Sequence, residues 1–248
     1  MARRLTGRQV KPRAAAWRPL SDNAGYADHE GRLFALRLLN DRHVPLPIVP
    51  SLPTKPMRTY RHSLKTLRDV ALAHTLEKNP DLASLARELG GIIHRDMRAL
   101  ADGLSDLRNH NRGFERWLVG RRGRPGVSVL VMAWPPGYTT PSHDHSGLWG
   151  IELSLYGALE VESWSRASTA QPWQLRGRDW LGPGDATWFD ADMPYMHRCR
   201  NLSRQETALT LHVYGGDLDD YTTYEQIEAE PFWQSQPQRA RIAGPLRV

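Results

Sequence analysis

Two histidines separated by one residue are the strongest indication of metal chemistry in this sequence. His143 and His145 lie in the segment PGYTTPSHDHSGLWG, shortly after a Pro-Gly turn. If this segment is extended, both imidazoles project from the same face, because side chains alternate along a strand. Neutral imidazole is a good ligand for divalent transition metals. The pair therefore predicts a metal site, and His197, in a later strand-and-turn segment, is the expected third ligand.

A second run of polar side chains, Thr210, His212 and Tyr214, occurs in the otherwise apolar segment TALTLHVY. The three residues alternate with Leu and Val, so on a strand they share one face. A hydroxyl, an imidazole and a phenol would then point inward in a row. The pattern predicts either a catalytic row beside the metal or three core residues that satisfy one another's hydrogen bonds.

The elements that must position these residues differ in composition along the chain. Residues 1–60 are basic and rich in proline, which favours an extended amino-terminal extension. Residues 61–118 carry leucines at helical spacing and predict helices packed on a barrel. From residue 119 to residue 248, short apolar segments alternate with Pro-Gly and Gly-Asp turns, as in a β-barrel. The predicted strands cover residues 127–134, 148–156, 158–165, 173–176, 186–189 and 207–214.

Two features are predicted inside the helical zone. Asn79-Pro80 combines a capping side chain with a proline suited to the first helical position, so a helix should start there. Gly90-Gly91 interrupts the apolar stripe that follows. We therefore expect a kink, or two helices, rather than one straight helix.

Charge and cysteine content limit the classes of function. Residues 1–20 hold six basic and no acidic side chains, and the remaining 27 basic side chains equal the 27 acidic ones. The net charge of +6 therefore comes from residues 1–20 alone. This location predicts a solvated basic tail rather than a nucleic-acid-binding face. No apolar run approaches a membrane span, and the basic start lacks the apolar core of a secretory signal. The single cysteine, Cys199, excludes an internal disulfide, and we expect a cytoplasmic protein that binds neither nucleic acid nor membrane.

The histidine motifs resemble the two metal motifs of the cupin barrel. In the first motif, five residues separate a glycine from the histidine pair, and eleven residues separate the pair from another glycine. The second motif places a glycine, a proline, a histidine and an asparagine in this order. The stretch in the middle of the motif is slightly longer in this sequence than in the cupin pattern. The matching positions are Gly137, His143, His145 and Gly157 in the first motif, and Gly184, Pro194, His197 and Asn201 in the second.

One departure from the cupin pattern concerns the metal ligands. Most metal-binding cupins have a glutamate ligand after the second histidine, and that position holds Gly150 here. The resemblance therefore implies three histidine ligands and no carboxylate. Glu152, two positions further on, remains open as a fourth ligand. Its neighbours on both sides are apolar, so the sequence does not show which face of the strand carries Glu152.

A cupin without this glutamate resembles the thiol dioxygenases, namely cysteine dioxygenase and the bacterial 3-mercaptopropionate dioxygenases. The segment from Thr210 to Tyr214 resembles their Ser-x-His-x-Tyr segment, with threonine in place of serine, and the likeness covers about residues 114–224. It implies a mainly β fold, a cupin (double-stranded β-helix or small jelly-roll) barrel preceded by an α-helical amino-terminal segment. It also implies Fe(2+) as the cofactor and catalytic roles for Thr210, His212 and Tyr214.

The resemblance further implies the reaction and its partners. Thiol dioxygenases add both atoms of O2 to the sulfur of a small thiol, such as 3-mercaptopropionate or cysteine, and produce a sulfinate. Arg116 resembles the arginine that binds the substrate carboxylate, with an offset of one residue; Arg178 is the competing candidate, and Trp149 is expected to line the site. Two other functions stay open: a cupin metalloenzyme of another class, such as a carbon-cleaving dioxygenase or isomerase, and a non-enzymatic cupin that binds a small molecule.

Overall fold

The computed structural model describes residues 56–77, 79–109, 113–191, 193–227 and 233–247. All but the last five residues of the predicted extension 1–60 therefore lie outside the described part of the chain. Three helices come first in the described residues: α1 (Pro56–His74), α2 (Leu82–Gly103) and α3 (Ser105–Asn109). None of these helices is both long enough and apolar enough to cross a membrane.

Helix α2 begins later than the sequence predicts. Its cap is Asp81 rather than Asn79, and the Asp81 side chain accepts a hydrogen bond from the backbone N–H of Ser84. The alternative of two helices divided at Gly90-Gly91 is wrong, because α2 runs through both glycines. Gly90 is instead a packing position, since a Cβ there would lie 2.5 Å from the carbonyl oxygen of Gly184 in a barrel turn.

In the part of the chain that the structure describes, twelve strands follow the helices and form two six-stranded sheets, ordered β12-β1-β2-β9-β4-β7 and β11-β10-β3-β8-β5-β6. The strands that carry the candidate site are β3, β4, β8 and β9, so each sheet contributes two of them. The strands are β1 (Glu115–Gly123), β2 (Gly126–Trp134), β3 (Ser142–His143), β4 (Gly150–Tyr156), β5 (Leu159–Ser165), β6 (Gln174–Leu181), β7 (Ala186–Phe189), β8 (Tyr195–Asn201), β9 (Ala208–Tyr214), β10 (Asp220–Gln226), β11 (Trp233–Arg239) and β12 (Gly244–Pro245).

Strands β1, β10 and β11 differ most from the sequence prediction. The helical segment was expected to reach residue 118, but α3 ends at Asn109 and β1 begins at Glu115. Every side chain of β10 and β11 is half-buried or exposed. Strands that bury no face need no apolar residues at every second position. The alternation of apolar and polar residues by which strands are recognised in a sequence is therefore missing.

The two faces of the first sheet serve different cores. Alternate residues of β2, β4 and β9 pack against α1 and α2, and they include Val129, Val131, Ile151, Leu153, Leu211 and Val213. The residues between them face the barrel interior, where the second sheet contributes apolar residues such as Leu159 and Val161. This arrangement, a mainly β cupin barrel preceded by helices, confirms the predicted fold class. The polar side chains of the candidate site lie in the same interior.

Candidate metal centre

Two strands and one loop bring the three predicted histidines together. His143 ends strand β3 and is directly paired with His197 of β8 in the antiparallel register. His145 follows in the loop after β3, and its ring centroid lies 4.8 Å from that of His197. All three imidazoles are buried, and one ring nitrogen of each lies within 4.8 Å of the others. Three imidazole nitrogens grouped in this way could hold a metal ion.

The hydrogen bonds of the rings leave nitrogens available for a metal. His143 Nδ1 lies 2.9 Å from the carbonyl oxygen of Pro141, which can only accept, so Nδ1 carries the proton and Nε2 presents a lone pair. His197 Nδ1 lies 3.3 Å from the Tyr195 hydroxyl. The Nε2 atoms of His145 and His197 are buried without a hydrogen-bond partner among the described residues. Buried polar atoms normally have a partner, so this group fits a divalent transition metal.

Burial keeps these rings neutral, as metal ligands must be. It lowers the pKa of His143 to about 3, and the nearby His197 adds to the effect. Burial, followed by His197 and His143, holds the pKa of His145 well below its usual 6.5. Burial likewise lowers the pKa of His197. At neutral pH the three nitrogens can therefore bind a metal without first losing a proton.

Asp144, between two of the histidines, ties their loop to strand β10. Its Oδ1 accepts hydrogen bonds from the backbone N–H groups of Thr222 at 2.8 Å and Ser146 at 3.2 Å. Its Oδ2 accepts a hydrogen bond from the Tyr224 hydroxyl at 2.8 Å. Sequence reasoning missed this role, because the β10 partners lie 78 and 80 residues away along the chain.

The row predicted from residues 210–214 is present on β9, and it extends to Trp134 of β2. The Trp134 indole N–H donates to the Thr210 hydroxyl at 2.7 Å, and that hydroxyl lies 2.7 Å from His212 Nε2. His212 Nδ1 lies 2.9 Å from the Tyr214 hydroxyl. An indole N–H can only donate a hydrogen bond, so the Thr210 hydroxyl oxygen accepts from Trp134. The hydroxyl proton of Thr210 is then free to be donated to His212 Nε2. Burial, followed by the charge of Glu152, raises the pKa of Tyr214 well above its usual value, so the phenol stays protonated.

Glu152, which the sequence left open as a fourth ligand, places a carboxylate beside the three histidines. It faces the barrel interior on β4, is 3% exposed and pairs with His212 of β9. Its Oε1 lies 3.3 Å from His212 Nδ1, 3.4 Å from His197 Nε2 and 3.7 Å from His145 Nε2. Oε1 also accepts a hydrogen bond from the Tyr214 hydroxyl at 3.5 Å. Glu152 is thus buried among imidazole rings, with its Oε1 atom close to two of the three predicted ligands.

Gly150 is closely packed against the site. A Cβ at this position would lie 2.3 Å from Phe189 Cζ and 2.9 Å from Tyr214 Cδ1. Phe189, which sequence reasoning did not identify, stacks on the His145 ring with centroids 4.3 Å apart. These two aromatic rings occupy the space that a larger residue at position 150 would need. The only carboxylate that the described part of β4 offers to the interior is therefore that of Glu152.

Cys199 lies beside the same glutamate but has little reactivity. Its Sγ is buried, 3.8 Å from Glu152 Oε2. Burial, followed by the charge of Glu152, raises the pKa of this thiol well above its usual value. A thiol that stays protonated is a weak nucleophile and a poor metal ligand. Cys199 thus fits an inert buried thiol.

Arg116 approaches the histidines from β1. It pairs with Met132, an interior residue of β2, and therefore shares the interior face. Its guanidinium carbon lies 5.4 Å from the ring centroid of Tyr221, which in turn lies 5.8 Å from the ring of His143. Arg116 Nε is buried without a hydrogen-bond partner among the described residues. Tyr221 therefore lies between the Arg116 guanidinium and the His143 ring.

The other two predicted substrate contacts are not brought to the site. Arg178 lies on the outside of the second sheet, where its half-exposed guanidinium pairs with Glu162 at 2.9 Å and Glu160 at 3.6 Å. Trp149 packs against the core between the barrel and the helices. Its strand neighbours explain this, because Gly150 and Glu152 face the interior and residue 149 must face the other way.

A cavity of about 240 Å3 opens beside the metal centre. It reaches His145, and its walls include the apolar or aromatic residues Leu148, Trp173, Phe189, Met193 and Tyr195. The opening is large enough for a small molecule, which could approach the histidines from this side.

Comparison with known proteins supports the motif-based resemblance over part of the chain. Residues 110–227, slightly less than half of the sequence, match the family model described as cysteine dioxygenase type I. A curated relative, cysteine dioxygenase type 1 of Danio rerio, is 24% identical over 106 residues, which are 42% of this chain and 52% of the relative. The match thus spans about half of the relative's length. The predicted cupin thiol dioxygenase resemblance is confirmed over this stretch.

Solved structures with partial similarity were also found. Oxalate oxidase in complex with the substrate analogue glycolate is 18% identical, with 44% of this chain and 53% of that chain covered and a TM-score of 0.35. The protein TT1209 from Thermus thermophilus is 24% identical, with 45% of this chain and 91% of that chain covered and a TM-score of 0.34.

Proposed function

We propose that this chain, whose residues 110–227 carry the cupin thiol dioxygenase family's pattern, is an Fe(II)-dependent enzyme that adds both atoms of O2 to the sulfur of a small thiol. One observation carries the proposal: three buried, neutral histidines lie next to the His212–Tyr214 row inside one barrel. The histidines would hold Fe(2+), and the thiol and O2 are the small-molecule partners. We expect the reaction to take place in the cytoplasm.

The proposed reaction converts R–SH and O2 into the sulfinic acid R–SO2H. Sulfur loses four electrons, O2 gains the same four, and both oxygen atoms form bonds to sulfur, so no external reductant is needed. Iron, when bound, supplies a Lewis acid that favours the thiolate and a redox-active centre through which O2 reacts with it.

The residues of the interior orient one hydroxyl toward this chemistry. Trp134 and Thr210 hold the His212 ring on its Nε2 side, and His212 Nδ1 in turn holds the Tyr214 hydroxyl. Tyr214 stays protonated, so it can donate a hydrogen bond to the reacting end of the substrate. The buried surroundings exclude bulk water, which strengthens such hydrogen bonds.

Arg116 supports a substrate with a carboxylate at its far end. An unpaired carboxylate in an apolar barrel is strongly disfavoured, so an acidic thiol requires a nearby cation. Arg116 shares the interior face and has a buried, unpartnered Nε among the described residues, whereas Arg178 is engaged with two outer glutamates. We therefore favour thiol carboxylates such as 3-mercaptopropionate or cysteine.

A second candidate is a cupin metalloenzyme of another class, such as a carbon-cleaving dioxygenase or an isomerase. The specific observation in its favour is Glu152, because a carboxylate next to three histidines is a different donor set from three histidines alone. A non-enzymatic cupin that binds a small molecule would not require the ordered row from Trp134 to Tyr214.

Thiol-dependent oxygen uptake separates these functions. Iron-loaded protein should consume O2 only when a thiol is present, and one sulfinate should form per O2 consumed. Zinc-loaded protein is the matched control, since Zn(II) has no redox chemistry. If none of a panel of acidic, neutral and amino thiols stimulates oxygen uptake above the zinc control, the proposed function is wrong.

A further inference from the structure

The Glu152 carboxyl group is buried in the barrel interior, and no arginine or lysine among the described residues pairs with it. Its ion-pair contacts within the described part of the chain are to His145, His197 and His212, each charged only when protonated. An ionised carboxylate in a protein interior requires a compensating charge. A divalent cation held by the neighbouring histidines would supply it.

The distances from Glu152 to two of the three histidines, His145 and His197, are those of donor atoms that share one ion. Two donors bound at about 2.1 Å can lie at most roughly 4.2 Å apart. Glu152 Oε1 lies within this limit of both His197 Nε2, at 3.4 Å, and His145 Nε2, at 3.7 Å. Neither nitrogen has a hydrogen-bond partner among the described residues, so the carboxylate is close to them without being hydrogen-bonded to them.

We propose that Glu152 is a fourth protein ligand of the metal bound by His143, His145 and His197, and that it restricts the substrate to thiols that bind the metal through sulfur alone. The inference rests on the proposed function for its substrate part only. Carboxylate oxygen is an acceptable ligand for divalent iron, as in sites with two histidines and one carboxylate.

The restriction follows from counting the donors. A 2-aminothiol can bind a divalent metal through both sulfur and nitrogen, which requires one more free position than sulfur alone. With Glu152 bound, the amine and O2 would compete for the space that remains. An amine-free thiol such as 3-mercaptopropionate would avoid that competition, and its carboxylate could still reach Arg116.

The first test uses cobalt(II), whose visible absorption depends on the number and type of its ligands. Cobalt-loaded Glu152→Gln should show altered band positions and intensities, and its cobalt affinity should fall by about 10- to 100-fold. The matched control is Glu160→Gln, which changes a glutamate that pairs with arginines on the outside of the barrel. Tyr214→Phe removes a neighbour of Glu152 but leaves the carboxylate, so both controls should keep the wild-type spectrum.

A second measurement does not depend on any variant. In a crystal structure of the cobalt-loaded wild-type protein, a Glu152 oxygen should lie about 2.0–2.2 Å from the cobalt. A wild-type cobalt spectrum in Glu152→Gln, or a carboxylate that stays hydrogen-bonded to His212 and Tyr214 away from the cobalt, would overturn the proposal. Glu152 would then be a positioning residue for the row on β9.

The substrate part is tested with the same cobalt-loaded proteins, in which the sulfur-to-cobalt absorption reports thiolate binding. The wild-type protein should bind cysteine no more tightly than 3-mercaptopropionate. In Glu152→Gln, the freed position should improve cysteine binding relative to 3-mercaptopropionate by roughly tenfold, as expected for a second linked contact. If the ratio of cysteine affinity to 3-mercaptopropionate affinity is the same in the wild-type protein and in Glu152→Gln, Glu152 does not restrict the substrate. These readouts need no turnover, so failure of oxygen uptake would reject the proposed function and leave the ligand question decided separately.

Discussion

Glu152 on β4 and His212 on β9 lie directly opposite each other in an antiparallel pair, with 3.3 Å between Oε1 and Nδ1. This contact joins the three-histidine group to the row that ends at Tyr214. A shift of the register by one residue would turn Glu152 toward the helices and break the connection. The register between β4 and β9 therefore determines that Glu152 and His212 meet.

The three histidines should be individually necessary for metal binding. We expect about one iron per chain in the wild-type protein, and almost none in His143→Ala, His145→Ala or His197→Ala, because each removes a donor from a small site. Metal content measured on purified protein checks this. His62→Ala, an exposed histidine of α1, is the matched control and should keep its iron. Full occupancy in His197→Ala would remove that residue from the site.

Tyr214→Phe should keep the metal and lose most of the activity. The substitution removes one hydroxyl that contacts His212 and Glu152 but changes no histidine. We expect turnover, or the yield of sulfinate per O2, to fall by roughly 100-fold, the scale of a positioned proton donor. Parallel measurement of oxygen and sulfinate checks it. Tyr156→Phe, whose hydroxyl bonds Arg108 and Glu206 away from the site, should behave as wild type. A wild-type rate and yield for Tyr214→Phe would make Tyr214 a packing residue.

Thr210→Val should destabilise the protein even though valine has nearly the same shape. The change leaves the Trp134 indole N–H and His212 Nε2 without their shared buried partner. We expect a loss of about 1–3 kcal/mol in the free energy of unfolding, measured with urea. Thr223→Val, which alters a hydroxyl in the exposed β10–β11 hairpin, is the control and should change stability little. Equal stability of the two variants would show that the row contributes nothing to folding.

Arg116 and Arg178 should differ in their effect on acidic thiols. Arg116→Ala removes an interior cation, so binding of a thiol carboxylate should weaken by about 2–5 kcal/mol. Because a buried pair is poorly screened, added salt should barely change this loss. Arg178→Ala removes a half-exposed arginine of the outer sheet and should leave the KM for the thiol unchanged. A preference of the wild-type protein for cysteamine over acidic thiols would contradict both the role of Arg116 and the acidic substrate class.

Much of the site was predictable because its chemistry is local in sequence. Residues two apart on a strand share a face whatever the rest of the fold does, so His143 with His145, and Thr210 with His212 and Tyr214, could be grouped from spacing alone. The apolar segments with their turn signals likewise indicated most of the buried strands, such as β2, β4 and β9. The polar strands β10 and β11 escaped prediction because nothing in them is fully buried.

The remaining features depend on which strands become neighbours, and spacing carries no such information. All but the last residue of β4 are buried, one face against the helices and the other in the interior, so its composition could not show which way Glu152 points. Pairing with β9 settled that question, as it did for Trp149, which faces the helices. Asp144 and Trp134 likewise acquired their roles from partners more than 70 residues away. Contacts of that range arise only when strands that are distant in sequence become neighbours in a sheet, because burial then forces each polar group to find its partner across strands.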